Sequence, residues 1–212
     1  RRQRQMCIRD SVKCLLEQLE LTSGFSKLGA NTFIGYYAQL PPAEDADIPV
    51  YEYLQRAIRK ENAQAMMSEQ SARDLAGMFM FTGRDQDKLM GTLSGGERSR
   101  ARLAALLASA KNLIVLDEPT NHLDIPSAER LEKALKQTED GEGYQGTLIL
   151  ISHDRALIDA TCDHLIVFDG QGGVSVFHGN YAEYHRQQLE KQKAEAAKAG
   201  KAPTKPVAKS PE

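Results

Sequence analysis

The run Leu113 to Asp124, LIVLDEPTNHLD, sets the tightest limit on how this chain can fold. Leu113-Ile114-Val115-Leu116 is continuously apolar, with no alternation. That pattern suits a strand covered on both faces of a parallel sheet. Two acids, Asp117 and Glu118, close it. In open α/β sheets ligands gather beyond the carboxyl ends of such strands, so these carboxylates stand where chemistry is done. Taken alone, Asp-Glu at a strand end is equally an acidic terminus that is merely solvated.

Three further elements make the solvated reading hard to hold. Leu93-Ser94-Gly95-Gly96-Glu97 precedes a helical stretch running to about Ala110. Its glycines let backbone come close to a ligand, and the helix start offers free N–H groups to a phosphate. Ile151-Ser152-His153-Asp154 ends a second buried strand, expected over Thr147 to Ile151, and sets a histidine at its tip. Gln39 follows a β-branched and aromatic strand, Thr32 to Ala38. In this setting Asp117 suits a magnesium ion held largely through water. Glu118 points elsewhere and suits a general base acting on water, with His153 a hydrogen-bond donor to a γ-phosphate.

Strand–helix–strand alternation predicts an α/β fold with a largely parallel sheet. Helices are expected over Val12 to Leu21 (Val12, Leu15, Leu16 and Leu19 on one face), Val50 to Lys60, and Gln70 to Phe81 with Leu75, Met78 and Phe79 in the core. Pro126 sits at a helix start, and that helix should run to about Gln137. Another begins near Asp154. His164 to Phe168 and Val174 to Phe177 read as strands closing the sheet. Residues 41–110 should form a small helical subdomain, residues 12–185 the whole domain. Arg1 to Ser11 fits nothing that follows and reads as foreign leader sequence.

The net charge of −2 gives no overall signal for nucleic acid or membrane, but it hides a split. From Arg186 to Glu212, seven Lys or Arg stand against three Asp or Glu, a net of +4, which leaves −6 on the remainder. This basic, helical and then disordered tail (186–212) fits a polyanion contact and equally a solvated end. Three cysteines, with no paired spacing, suit a reducing cytosol rather than a disulfide framework or zinc site. No apolar run approaches the ~18 residues of a membrane span.

In this order the four elements resemble the nucleotide-binding domain of the ABC ATPase superfamily, over about Val12 to Tyr184. The resemblance implies a P-loop NTPase-type sheet with a helical signature subdomain, and ATP with Mg2+ as ligands. It makes Gln39 the Q-loop glutamine, near magnesium and the γ-phosphate. Ser94, Gly95, Gly96 and Glu97 become the signature, which serves ATP held by an opposing domain. Asp117 becomes the Walker B aspartate, Glu118 the catalytic base, His153 the switch histidine and Asp124 the D-loop acid. Glu118 to Asp124, EPTNHLD, and the ending Gly179-Asn180-Tyr181-Ala182-Glu183-Tyr184 are similar to the ABC-F group. The resemblance implies a cytoplasmic protein with two such domains on one chain, acting on ribosomes and rRNA. The short Gln39–Leu93 interval and the basic tail fit the second domain.

The phosphate-binding loop GxxxxGK[ST] is not found. Gly24 to Gly29 has the glycine spacing, but Ala30-Asn31 follows. Aligning the first helix with the family puts the expected Gly-Lys-Ser/Thr near Cys7, Ile8 and Arg9. Intact Gln39, Glu118 and His153 argue for a truncated ATPase domain, inactive alone, over a degenerate one. Two other classes stay open: the ATP-binding subunit of a membrane transporter with its permease on another chain, and a non-hydrolytic binding module.

Overall fold

The computed structural model describes residues 2–38, 45–61, 67–138, 140–141 and 143–199. Gln39 and the disordered tail expected at 200–212 lie outside the described residues. β1 (Ile34–Tyr37), β2 (Leu113–Asp117) and β3 (Thr147–Ile151) form a parallel sheet in the order β1-β2-β3. Tyr37 pairs with Leu116, and Asp117 with Ile151, so the three carboxyl ends lie at one edge.

Both faces of β2 are covered, as its unbroken apolar run requires. On one face α1 (Arg2–Leu15) packs Val12 and the following Leu16 against Val115 and Ile151, with Ile8 beside them. These three residues are spaced four apart and form one helical stripe. On the other face Ile114 and Leu116 join the larger core with Ala101, Leu103, Ala104 and Ala105 of α4 (Gly95–Ala108), Leu131 and Leu135 of α5 (Ile125–Leu135), and Leu157 of α6 (Arg155–Thr161). Helices on both faces of a parallel sheet are the architecture that the strand–helix alternation predicts.

α2 (Val50–Glu61) and α3 (Glu69–Met78) pack with each other and with α4 beside that core. Ser68 caps α3 by accepting from the Ser71 N–H. Ala72, Ala76 and Phe79 form its buried face. Met78, expected in the core, is 65% exposed: it falls off that stripe, and the chain turns left-handed at Met80 immediately after.

Four other expectations are corrected. The first helix ends at Leu15 rather than Leu21, because Glu17 takes a positive φ of 58°. A left-handed residue there stops the helix, so Leu15 and Leu19 stay half-exposed. β3 is not buried on both faces: among the described residues it is the edge of its sheet, and of its five residues only Ile151 is buried. β4 (His164–Phe168) and β5 (Val174–His178) do not close the first sheet. Among the described residues they pair antiparallel only with each other, leaving Ile166, Val174 and Val176 more than half exposed. The last helix, α7 (Tyr181–Ala199), starts five residues earlier than the expected Arg186, with Asn180 Oδ1 accepting from the Glu183 N–H.

Candidate functional site

The register of β2 and β3 builds the site. The Glu118 N–H donates to the Ile151 carbonyl at 2.7 Å, carrying the ladder one residue past the strand. Glu118 then adopts a φ of +52°, a left-handed conformation that costs a non-glycine residue about 1–2 kcal/mol. The turn buries the Glu118 side chain and sends the chain away through Pro119. Asn121 N–H donates back to the Glu118 carbonyl at 3.1 Å, and a second left-handed residue, His122, completes the turn.

His153 stands just beyond the end of β3, with Ser152 between, before Asp154 caps α6 by accepting from the Ala156 and Leu157 N–H groups. Its Nε2 lies 3.5 Å from Glu118 Oε1, with the imidazole half-exposed and the carboxylate 6% exposed. Two residues far apart in sequence thus meet because their strands are neighbours in register.

Leu93 to Glu97 folds into a reciprocal cap on α4. Ser94 Oγ accepts from the Glu97 N–H, and the Glu97 carboxylate accepts from the Ser94 N–H at 2.9 Å and from its hydroxyl at 2.7 Å. The Ser94 bonds and the nearby Lys88 pull the Glu97 carboxyl down to about 2. The two glycines differ. A Cβ on Gly95 would meet nothing within 4 Å, whereas one on Gly96 would stand 2.7 Å from the His122 carbonyl oxygen. Gly96 therefore lets the α4 start pack on the turn after Glu118, and Gly95 leaves backbone open.

That packing leaves a cleft of about 160 Å³ lined by Tyr37, Gly95, Arg98, Arg102, Glu118 and His122, among others. It is smaller than the ~300–1,000 Å³ of small-molecule pockets, and suits a phosphate-sized group rather than a nucleotide. Arg98 and Arg102, four apart on α4, were not foreseen; their helical spacing was the available signal.

Asp124 caps α5 through the Ser127 N–H and hydroxyl, and the hydroxyl holds its carboxyl below the usual range. Arg100 of α4 reaches the same point, donating to Ser127 Oγ at 3.0 Å, with Nη1 3.6 Å from Asp124.

Asp117 is 3% exposed, and Arg9 is its counter-ion. Arg9 Nε lies 3.0 Å from Oδ1 and 2.7 Å from Oδ2. α1 thus begins within the stretch expected to be foreign and delivers a cation from it. Magnesium does not fit this arrangement, because both oxygens that would face a metal already face the guanidinium. Among the described residues no group of three His, Cys, Asp or Glu gathers to hold a metal.

The ABC transporter family model matches residues 8–121, more than half of the chain. The chain belongs to this ABC ATPase family. Its relatives are ABC-F proteins. The probable ATP-binding protein YbiT of Escherichia coli O157:H7 is 35% identical over 82% of this chain and 31% of its own length. The energy-dependent translational throttle protein EttA of Mycobacterium tuberculosis (strain H37Rv) is 34% identical over 83% of this chain and 31% of its own. The ATP-binding protein Uup of Caulobacter vibrioides is 36% identical over 94% and 33% respectively. The chain spans about a third of the length of these relatives.

Among solved structures the ABC domain is similar to RNase-L Inhibitor, with a TM-score of 0.62 and 26% identity over 85% of this chain and 34% of that one. It is also similar to a chain of ribosome-bound archaeal Pelota and ABCE1, with a TM-score of 0.59 and 27% identity over 79% and 28%. The P-loop ABC ATPase fold follows from these likenesses. Among the described residues no helix is long and apolar enough to cross a membrane.

Proposed function

We propose that this sequence is the catalytic and signature portion of an ATP-hydrolysing domain, the second of an ABC-F protein that acts on the ribosome. The observation that carries the hydrolytic part is the Glu118–His153 pair: a buried carboxylate 3.5 Å from an imidazole, at the ends of two paired parallel strands. In this reading Glu118 takes a proton from the water that attacks the γ-phosphate of ATP. His153 donates to the phosphate and holds Glu118 in place.

The capped α4 start, with Gly95 open to approach, serves ATP held by a second ABC domain, and Asp124 faces that same partner. Such trans use makes the two domains one catalytic unit. In this reading the longer protein is cytoplasmic. The 212-residue chain alone binds ATP weakly or not at all and does not turn it over. A titration giving micromolar affinity would contradict this.

The ribosomal part is supported by EPTNHLD, by the ending GNYAEY, and by relatives that include a protein named for translational throttling. Ribosome co-sedimentation of the longer protein carrying Glu118→Gln tests it. Trapping on ribosomes in the presence of ATP is expected; no nucleotide-dependent association would overturn it. The competing reading, a transporter's ATP-binding subunit, predicts instead co-purification with a permease from membranes.

A further inference from the structure

We propose that the Arg9 guanidinium is the resident cation of Asp117 in this chain, and that it excludes divalent metal from the end of β2. A carboxylate with 4% of its side chain exposed has lost nearly all its water and needs a positive partner. Arg9 Nε supplies it, straddling the two oxygens at 3.0 and 2.7 Å. A guanidinium and a hydrated Mg2+ compete for the same lone pairs, and their charges repel.

Arg9 does not reach Asp117 as a loose side chain. Ile8, Val12 and Leu16 bind the face of α1 to Val115 and Ile151, and Val115 lies two residues before Asp117 on β2. The position of the guanidinium is therefore set by helix–sheet packing. Tyr36, packed in the same cluster, carries the electrostatic trace of the pair: burial raises its phenol most, Asp117 raises it further, and Arg9 lowers it.

The inference concerns metal alone and stands whether or not the domain hydrolyses ATP. Mn2+ binding to the 212-residue chain, followed by electron paramagnetic resonance, tests it. Wild type and Arg9→Lys should leave Mn2+ free at millimolar concentration. Arg9→Ala and Arg9→Gln should bind it at least about tenfold more tightly, and adding Asp117→Asn should abolish that gain. Equal Mn2+ affinity in wild type and Arg9→Ala would overturn the proposal, as would no binding to an Arg9 variant whose circular dichroism is native. Should both neutral variants fail to fold, the Arg9 Nε–H resonance of wild type decides. It should keep its position through a millimolar Mg2+ titration, and its shift or loss would overturn the proposal.

Discussion

His153 Nε2 sits 3.5 Å from Glu118 Oε1, although thirty-four positions separate the two in sequence. The parallel register that pairs Asp117 with Ile151 brings them together. The distance is longer than a strong hydrogen bond and is suited to tightening around a third group. If His153 acts as a donor to the reacting phosphate, His153→Ala in the longer protein should lower kcat about 10²-fold, while His153→Gln should retain more. Steady-state phosphate release measures both. Equal loss in the two variants would indicate that the imidazole does not act through hydrogen bonding.

The glycine pair separates packing from ligand approach. Gly96→Ala forces a Cβ against the His122 carbonyl and should cost about 1–3 kcal/mol in thermal or urea unfolding. Gly95→Ala meets open space and should leave stability within about 0.5 kcal/mol of wild type. If Gly95 admits a nucleotide from a partner domain, Gly95→Ala should nonetheless weaken ATP-dependent pairing in the longer protein. A stable Gly96→Ala would contradict the packing described here.

Glu97 sets an acid limit on the α4 cap. Its folded carboxyl is pulled from 4.5 down to about 2, chiefly by the Ser94 hydroxyl. A depressed carboxylate contributes stability that is fully present above its unfolded pKa and is lost as pH falls through the folded one. The window is therefore about pH 4.5 down to 2. Urea unfolding of wild type and Glu97→Gln across that window should converge at the acid end. A constant difference at every pH would show that the cap does not depend on the charge.

Arg100 has a buried Nε with no partner, its guanidinium stacked 5.3 Å from the Phe81 ring centroid and its Nη1 on Ser127. The stem and stack should matter more than the charge. Arg100→Met should stay within about 1 kcal/mol of wild type, and Arg100→Ala should lose about 1–3 kcal/mol. Equal losses in both would assign the stability to the Ser127 and Asp124 contacts instead.

The central strand and its acids were legible because β2 is unbroken in its apolar pattern, as a strand buried on both faces requires. The meeting of His153 with Glu118 was legible once β3 was assumed to neighbour β2. The exposed edge of β3 was not, since an apolar pentapeptide carries no record of which side lacks a neighbour. Arg9 escaped notice for a related reason. Its role depends on the rotation of α1 against the sheet, which a basic, irregular opening stretch does not reveal. The Gly96–His122 contact likewise needs the turn geometry that two left-handed residues, Glu118 and His122, create.

Phosphate release by the longer protein carrying Glu118→Gln bears most directly on the proposed hydrolytic role. Glu118→Gln keeps the shape and the buried turn but cannot accept the water's proton. Turnover should fall by roughly 10²–10⁴-fold with ATP affinity retained. Turnover unchanged by the substitution would contradict the assignment of Glu118 as the base.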